Sequence, residues 1–396
     1  MGQHSVFEST GSKAAIPRVV HILSGDLWAG AEVMAVNLLK GLNASGYCHL
    51  VVVLLNEGRV AQTLRSDGLK VFVIPESNTS FAHILLSFRK IIKDFCPDII
   101  HSHRYKENVI SYLASGRWIT GNARPLLVST QHGMPEGYGR KPSIKSRIIS
   151  SINYFLLSRG FDQCVAVSED LRANMIQHLG LRREKIPTIR NGIAIPESSA
   201  TIGRKEFVVG SCGRFFSVKN FTLFVEIAAM LRSRLSEVRF VLAGDGPQRE
   251  ALSQLCRSHG LDGIFSMPGH VDDMASLYNG MDLFINTSLH EGIPMSVLEA
   301  LGHGVPVLAP RVGGFPEIID HGKDGFLIEG HDPGLFAGTC VEILTDRKLL
   351  FSMSSAARDK VKTKFSSARM ADDYFHLYNG LSAEKNRRGN GAEVNS

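Results

Sequence analysis

Short apolar segments alternate with longer stretches of helical spacing along almost the whole chain. In the first half, segments rich in β-branched residues predict strands at Arg18–Leu23, Leu50–Leu55, Val71–Ile74, Ile99–His101, Leu126–Thr130 and Gln163–Val167. The stretches between them, such as Ala31–Leu42 and Phe81–Phe95, carry apolar residues at helical spacing. Strands that are joined through helices lie parallel and are covered on both faces. The pattern therefore predicts a doubly wound α/β domain.

A second series of the same kind begins near Glu206. Its strand candidates include Phe207–Cys212, Arg239–Ala243, Leu283–Asn286 and Val305–Ala309. Between the two series lies Ile195–Lys205, which contains Pro, Ser and Gly and is typical of an interdomain linker. We therefore predict two Rossmann-like domains, residues 16–195 and 205–365, facing each other across a cleft. A helix at about 366–382 is expected to pack back on the first domain.

Length and composition agree with two globular domains. A chain of 396 residues is too long for one hydrophobic core, and 44% hydrophobic with 21% charged residues is ordinary for a globular protein. The six cysteines lie far apart without a Cys-x-x-Cys pair, which favours buried, reduced thiols. The N-terminus is polar, and no apolar run approaches the roughly 18 residues that span a bilayer. We expect a cytoplasmic protein without a signal peptide or a membrane-spanning segment.

The charge is unevenly distributed along the chain. Residues 1–200 contain 23 Lys and Arg against 15 Asp and Glu, and residues 201–396 contain 21 against 23, so the net charges are +8 and −2. A basic half indicates an anionic partner, although solvated surface charge explains it equally well. The segment Tyr138–Arg159 has five basic residues, no acidic residue and interleaved apolar residues. It predicts either a basic amphipathic helix on an anionic membrane or an ordinary helix with a solvated basic face.

The first domain offers several ligand-facing candidates, because open α/β sheets bind ligands beyond the carboxyl ends of their strands. The first strand ends in the loop Ser24–Glu32, where Gly30 lets the backbone approach a phosphate at the start of the next helix. Any tight turn between strand and helix can use glycine in this way. His132 at another strand end is either a ligand-facing group or a structural histidine. His101 and His103 face one side of a strand, but no third metal ligand is evident there.

The first strand of the second domain runs into a loop with two cations. Gly213 follows the strand, and Arg214 and Lys219 lie five residues apart. Arg supplies a planar fork and Lys a point charge, so the two side chains can converge on a diphosphate. Two exposed surface cations would give the same sequence.

A longer string in the second domain, EGIPMSVLEALGHGVPV, carries two glutamates eight residues apart. Pro294 suits a first helical turn, which places Glu291 in the loop and Glu299 inside the helix. The amides of Gly292 and Ile293 can then face a phosphate. One carboxylate can meet a sugar and the other the ribose hydroxyls, although this spacing also occurs by chance in many helices.

The whole string resembles the second domain of glycosyltransferase family 4, retaining enzymes of the GT-B fold. The resemblance extends through Gly244–Pro247, Pro268–Gly269, Val312–Glu317 and Asp324–Leu327, and in the first domain through Val165–Ser168 and Arg190–Ile193. Roughly residues 16–380 follow the pattern. The sequence departs from the family at the first loop, where the usual pair of glycines is Ala29-Gly30.

The resemblance implies roles for particular side chains. Glu299 would hold the donor ribose, Arg214 and Lys219 would bind the diphosphate, and Glu291 would touch the transferred sugar. His132 matches a family histidine near the donor sugar. The residues implied for donor binding are Gly30, Gly213, Arg214, Lys219, Gly292, Ile293 and Glu299. Those implied for catalysis are Glu291, His132, Arg214 and Lys219, with His103 on the acceptor side.

These observations predict a retaining glycosyltransferase that moves a sugar from a nucleotide-diphosphate sugar to a glycan or lipid-linked acceptor. Cell-envelope or surface polysaccharide synthesis, lipopolysaccharide included, is the expected setting. No metal or other cofactor is expected, because Arg and Lys neutralise the diphosphate and no Asp-x-Asp motif occurs. Expected partners are the donor, the acceptor and an anionic surface on the inner face of the cytoplasmic membrane, and not nucleic acid. The alternatives are a sugar-nucleotide 2-epimerase of the same fold and a non-catalytic nucleotide-sugar-binding protein.

Overall fold

Two parallel sheets of six strands each form the framework of the protein. The computed structural model describes residues 16–26, 28–116, 124–133 and 144–393. The first sheet has the order β3-β2-β1-β4-β5-β6, with β1 Arg18–Leu23, β2 His49–Leu54, β3 Lys70–Val73, β4 Ile99–Ser102, β5 Leu126–Gln131 and β6 Gln163–Ala166. The second has the order β12-β11-β10-β7-β8-β9, with β7 Phe207–Cys212, β8 Val238–Ala243, β9 Phe265–Gly269, β10 Leu283–Ile285, β11 Val307–Pro310 and β12 Gly325–Ile328. The predicted pair of doubly wound parallel sheets is confirmed.

Helices connect the strands and cover both sheets. Around the first sheet lie α1 Gly30–Ser45, α2 Arg59–Ser66, α3 Phe81–Phe95, α4 Tyr105–Ala114, α5 Ile144–Phe155 and α6 Glu169–Leu179. Those that follow β7 are α7 Phe221–Arg234, α8 Arg249–Ser258, α9 Met274–Asn279, α10 Met295–Gly302, α11 Phe315–Ile318, α12 Pro333–Thr345, α13 Arg347–Lys364 and α14 Ser367–Glu393. No helix in the described residues is long and apolar enough to cross a bilayer.

The strands named from the sequence agree with the structure to within two residues at each end. Two strands that were not predicted from the sequence, β9 and β12, lie at the edges of the second sheet. Strand β9 is only half-buried and contains Ser266 and Pro268, so it lacks the continuous apolar run of a central strand. Central strands such as β10 are buried throughout, which is why their pattern is readable.

Helix α14 returns to the first sheet at the end of the chain. Its Ala371 packs against α1 so closely that a Cβ at Gly41 would lie 2.9 Å from the Ala371 Cβ. Tyr374 and Tyr378 are fully buried and bond to side chains of the first sheet. The helix is longer than the predicted 366–382, because it continues to Glu393. Residues 383–388 include the strong helix formers Ala, Glu, Lys and Arg.

All six cysteines are free, as expected for reduced thiols. Five of them are buried, whereas Cys96 is exposed. Cys96 ends α3 in a left-handed conformation with φ of 48°, so its position follows from the helix end and not from the core.

The strand order fixes where a ligand can bind. It reverses between β1 and β4 in the first sheet and between β7 and β10 in the second. Chain connections leave a crevice at the carboxyl ends of the strands where the order reverses. The loops that follow β1, β5, β7 and β10 contain most of the residues that the sequence singled out.

Candidate active site

Lys219 and Glu291 form an ion pair between the loops that follow β7 and β10. The β7 loop makes one 3-10 turn, Ser217–Lys219, before α7 begins. Lys219 Nζ donates to Glu291 Oε1 at 2.5 Å, and Ser288 Oγ donates to the same oxygen at 2.8 Å. The two charged side chains are 24% and 17% exposed. The pair is therefore held in place and still open to a ligand.

Arg214 leaves the same strand end as Lys219. Its guanidinium carbon lies 5.0 Å from the centre of the Phe216 ring, a distance typical of a cation–π contact. The preceding Gly213 has a φ of 151°. A Cβ on Gly244 would lie 1.9 Å from the Gly213 carbonyl oxygen, so the loops after β7 and β8 cross in direct backbone contact. This crossing positions the start of the loop that carries both cations.

Two consecutive glycines, Gly313 and Gly314, pack against the loop that contains Glu291. Gly314 donates its backbone N–H to the Glu291 carbonyl at 3.0 Å. A Cβ on Gly313 would lie 2.1 Å from the Glu291 carbonyl oxygen, and one on Gly314 would lie 1.9 Å from that of Gly292. Larger residues at either position cannot fit unless this loop moves. The two glycines of the sequence GGFPE therefore allow the close backbone contacts that position the Glu291 loop.

Glu299 lies in α10 with its carboxyl group held by a buried phenol. Tyr278 Oη donates to Glu299 Oε2 at 2.8 Å, and Cys212 Sγ lies 3.3 Å from the same phenol oxygen. Burial raises the pKa of Glu299 to about 7, against the opposing effect of the Tyr278 hydrogen bond. Helix α10 begins after Pro294, which caps it without a side-chain hydrogen bond. Glu291 thus lies in the loop and Glu299 inside the helix, as predicted.

The first sheet meets this loop through His132 and Gly30. A Cβ on Gly292 would lie 2.8 Å from the His132 carbonyl oxygen, so His132 is a direct neighbour of the Glu291 loop. A Cβ on Gly30 would lie 3.8 Å from Met295 Cγ, which places the start of α1 opposite the start of α10. Residues from both halves of the chain therefore line one crevice.

Histidines from neighbouring strands gather behind His132. Strand β1 pairs with β4 so that His21 lies opposite His101, and His103 follows directly. Ring nitrogens of these three buried residues lie within 4.8 Å of one another, a spacing at which they could hold a metal ion. The sequence interpretation that no third ligand accompanies His101 and His103 was therefore wrong, because the third ligand comes from an adjacent strand. These nitrogens already bond to one another, to Tyr378, Thr130 and His132, so a metal ion would have to displace those bonds.

Two buried carboxyl groups lie under the first loop, close to Gly30. Glu32 pairs with Arg104 at 2.6 Å, and Ser24 Oγ donates to Glu107 Oε1 at 2.5 Å. Burial raises the pKa of both carboxyl groups, and the rise is opposed chiefly by Arg104 at Glu32 and by the Ser24 hydrogen bond at Glu107. One oxygen of each carboxyl group is buried without a hydrogen-bond partner among the described residues. Glu32 ends the loop Ser24–Glu32 that the sequence singled out, whereas Glu107 lies in α4 and was not singled out from the sequence.

Comparison with known proteins identifies the architecture and the chemistry. Residues 28–195 match the family model "Glycosyltransferase Family 4", and residues 206–346 match "Glycosyl transferases group 1". The chain belongs to glycosyltransferase family 4. It is a glycosyltransferase, and retention of anomeric configuration is consistent with this family.

Named relatives of this family 4 member are also glycosyltransferases. The chain is 25% identical over 335 residues to the UDP-Gal:α-D-GlcNAc-diphosphoundecaprenol α-1,3-galactosyltransferase of Escherichia coli, which covers 79% of this chain and 84% of the relative. It is 24% identical over 371 residues to the lipopolysaccharide core biosynthesis glycosyltransferase LpsD of Rhizobium meliloti, covering 91% and 98%. These relatives do not favour the epimerase alternative.

Solved structures show that the fold is GT-B. Anabaena HepE, solved with UDP-glucose, superposes with a TM-score of 0.80 at 21% identity, covering 92% of this chain and 100% of HepE. Staphylococcus aureus TarM, solved with UDP and α-GlcNAc-glycerol, gives 0.75 at 13% identity, covering 92% and 100%. At these identities the likeness concerns the fold alone.

The glycosyltransferase brings most of its predicted site residues into one region. Lys219, Glu291, Gly292 and His132 are direct neighbours, with Ile293 next in the same loop, and Gly30 faces the helix that contains Glu299. His103 lies behind His132, and the two rings are joined by a hydrogen bond. The roles assigned to these residues stay predictions.

Sequence reasoning missed His21, Tyr278 and Ser288. Ser288 lies only three residues before Glu291, and its proximity along the chain was the available signal. His21 and Tyr278 reach the site through strand pairing and helix packing, which no local motif encodes.

Proposed function

We propose that this glycosyltransferase transfers a sugar from a UDP-linked donor to a glycan or lipid-linked acceptor with retention of configuration. The observation that carries the proposal is the Lys219–Glu291 ion pair, placed between the start of α10 and His132. Relatives named for lipid-linked and lipopolysaccharide acceptors, and neighbours solved with UDP, support the substrate classes.

The ion pair suggests how the donor is accommodated. A diphosphate carries more negative charge than one carboxylate, so it competes with Glu291 for Lys219. Arg214 and the amides at the start of α10 add further positive potential. Once Lys219 turns to the diphosphate, Glu291 is released to contact the sugar. The donor thus assembles the site that acts on it.

The transfer step is chiefly one of charge stabilisation. The bond between the sugar anomeric carbon and the β-phosphate oxygen breaks, and the acceptor oxygen bonds to that carbon on the same face. The acceptor proton passes to the departing phosphate oxygen. Lys219 and Arg214 stabilise the negative charge that develops on the leaving diphosphate, which is where fixed charges lower a barrier most. We propose that no metal takes part.

A donor screen tests this proposal. Purified protein is incubated with UDP- and GDP-sugars, with and without undecaprenyl-diphosphate-linked sugar acceptors and with EDTA throughout, and free nucleotide is measured. We expect acceptor-dependent release of UDP that EDTA does not abolish. Epimerised donor in the absence of acceptor would support the isomerase instead, and binding without turnover would support a non-catalytic protein.

We further propose that the first half of the chain docks on an anionic membrane. Phe81, Tyr105 and Ile152 are about half exposed and line one apolar groove of about 170 Å³, together with Lys106, Val109, Ile149 and Asn153. Phe155, three residues after Ile152 in α5, is 57% exposed. Monomeric proteins seldom expose such clusters without a binding partner. The basic residues Arg140 and Lys141 of the segment Tyr138–Arg159 lie outside the described residues.

Vesicle sedimentation distinguishes docking on a membrane from an ordinary helix with a solvated basic face. Wild-type protein should bind anionic vesicles, and added salt should weaken binding. The double variant Ile152→Ser/Phe155→Ser, and the charge reversal of Lys141, Lys145 and Arg147, should each reduce it severalfold. Leu335→Ser in α12 removes an apolar side chain of similar exposure (55%) and should leave binding unchanged. Failure of the wild type to bind at low salt would support the solvated face.

A further inference from the structure

Four imidazoles and three hydroxyl groups form one continuous hydrogen-bond chain behind the crevice. The chain starts at His132 and runs through His103 and His21 to Tyr378, then through His101 and Thr130 to Tyr374. Its distances are 3.4 Å (His132 Nε2–His103 Nδ1), 3.2 Å (His103 Nε2–His21 Nδ1), 3.3 Å (His21 Nε2–Tyr378 Oη), 2.7 Å (Tyr378 Oη–His101 Nδ1), 2.8 Å (His101 Nε2–Thr130 Oγ1) and 2.7 Å (Thr130 Oγ1–Tyr374 Oη).

Such a chain has a direction. A neutral imidazole carries one N–H and one lone pair, so it donates at one nitrogen and accepts at the other. His21, His101 and His103 use both nitrogens within the chain. His132 uses only Nε2, and its Nδ1 is buried without a hydrogen-bond partner among the described residues. The protonation of Nδ1 therefore depends on which groups donate and which accept further along the chain.

Tyr378 fixes that direction, because its hydroxyl has one proton and two imidazole neighbours. His101 Nδ1 lies at 2.7 Å, the usual length for a hydroxyl donor, and His21 Nε2 at 3.3 Å. When the proton goes to the nearer nitrogen, His101 carries its own proton on Nε2 and donates to Thr130. His21 Nε2 must then donate to the Tyr378 oxygen.

The remaining protons follow from this choice. With its proton on Nε2, His21 accepts at Nδ1 from the Nε2–H of His103. His103 then accepts at Nδ1 from the Nε2–H of His132. Every bond in the chain has one donor and one acceptor, and Nδ1 of His132 is left with a lone pair.

We propose that Tyr378, His21 and His103 are positioning residues that hold His132 as its Nε2–H tautomer, so that Nδ1 accepts a hydrogen bond from a hydroxyl group of the bound sugar. The identity of that hydroxyl rests on the proposed function. The tautomer itself does not. An acceptor in this place selects ligands with a hydroxyl donor and rejects those that lack one, because the desolvated partner is otherwise left unpaired.

Burial keeps the chain neutral, as this arrangement requires. It lowers the pKa of His132 and of His21 to about 3. The pKa values of His101 and His103 also lie well below the usual value, through burial and then through the neighbouring histidines. None of the four rings is protonated twice near pH 7.

Histidine tautomers can be measured directly. In protein labelled with ¹⁵N-histidine, two-bond ¹H–¹⁵N correlation spectra distinguish protonated from bare ring nitrogens, and His132→Asn assigns the signal. We expect a bare Nδ1 and a protonated Nε2 for His132 at pH 7.5. A protonated Nδ1 in the wild type would overturn the proposal.

A pair of tyrosine variants on α14 tests the origin of the tautomer. Tyr378→Phe removes the hydroxyl that fixes the direction, so His132 should become a mixture of both tautomers. Tyr374→Phe makes the same change one helical turn away, at an equally buried residue, and should leave the His132 signal unchanged because the Tyr378–His101 bond remains. An unchanged His132 in both variants, with native circular dichroism, would show that the chain does not set the tautomer.

Turnover supplies a second measurement once a donor is known. Tyr378→Phe should lower kcat/KM roughly two- to tenfold, the range of one neutral hydrogen bond, and Tyr374→Phe should not. If no donor is turned over but the tautomer is as stated, the proposed function fails and this proposal stands. If a donor is turned over and Nδ1 carries the proton, this proposal alone fails.

Discussion

At the scale of single residues, Glu291 and Glu299 show how environment separates two identical side chains. Glu291 is in the loop, paired with Lys219 and bonded to Ser288. Glu299 is one helix turn inside α10, held by a buried phenol and with its pKa raised by burial. Glu291 is therefore partly exposed beside a cation, whereas Glu299 changes its protonation state near neutral pH.

Replacement of Glu291 by Gln should abolish turnover while nucleotide binding survives. The change preserves size and hydrogen bonding but removes the charge that we propose contacts the sugar, so kcat and kcat/KM should fall together. Calorimetry with UDP and steady-state kinetics measure the two effects. As Glu291 does not cap α10, we expect the melting temperature to change little. A lower melting temperature with full turnover per folded molecule would contradict a catalytic role.

The affinity for UDP should increase as the pH rises through 7 if Glu299 accepts the ribose hydroxyls. With its pKa raised to about 7, the carboxyl is about one-tenth ionised at pH 6 and about nine-tenths at pH 8. Because only the ionised form accepts at both oxygens, affinity should rise about tenfold over this interval. Titrations of the Glu299→Gln variant provide the control, since its weaker binding should retain only the pH dependence of the nucleotide. Identical pH profiles for both proteins would remove Glu299 from the ribose site.

At the scale of elements, the site depends on loops whose backbones touch. Replacement of Gly314 by Ala should displace the Glu291 loop, because the new Cβ would lie 1.9 Å from the Gly292 carbonyl oxygen. We expect a loss of stability of about 1–3 kcal/mol, as for other overpacked sites, together with loss of turnover. Gly380→Ala in α14 introduces the same methyl group into open space and should be neutral or slightly stabilising. Thermal unfolding and UDP release compare the two, and equal behaviour would show that the loop tolerates the methyl group.

At the scale of the whole molecule, Glu317 ties the second half of the chain to the first. Its carboxylate accepts the backbone amides of Glu169 at 2.7 Å and Asp170 at 3.2 Å, and Arg190 donates to it at 2.8 Å. The Arg59–Asp272 pair also joins the two halves, but its carboxylate is 81% exposed. Charge-assisted bonds with little exposure stabilise more than exposed pairs do.

Glu317→Ala should therefore loosen the junction of the two halves, whereas Asp272→Asn should change it little. Loss of charge-assisted bonds worth about 1.5–3 kcal/mol each should accelerate hydrogen exchange at the amides of Glu169 and Asp170 at least tenfold. The KM for the donor should rise as well, because catalysis needs both halves in place. Hydrogen exchange followed by mass spectrometry measures the effect in both variants, and equal protection in the two would contradict this role of Glu317.

The sequence by itself determined the architecture of this protein and the loops in which the candidate site residues of its second half lie. Central parallel strands are buried on both faces, so β7 and β10 had to appear as continuous apolar runs. Loops at their carboxyl ends follow within a few residues, which made Lys219, Glu291 and Glu299 readable from local order. The edge strand β9 was not predicted because it is only half-buried and contains Ser266 and Pro268, so it lacks the continuous apolar run of the central strands.

Only the tertiary structure decided which distant residues meet. No local pattern near His101 predicts its contact with His21, because that contact depends on β1 lying beside β4 at the point where the strand order reverses. Tyr374 and Tyr378 reach the same histidines from the far end of the chain because α14 returns to the first sheet. The Lys219–Glu291 pair likewise joins residues 72 positions apart. Hydrophobic periodicity specifies which face of an element is buried, but it does not specify the partner that covers it, and that partner sets the hydrogen bonds and pKa values of the site.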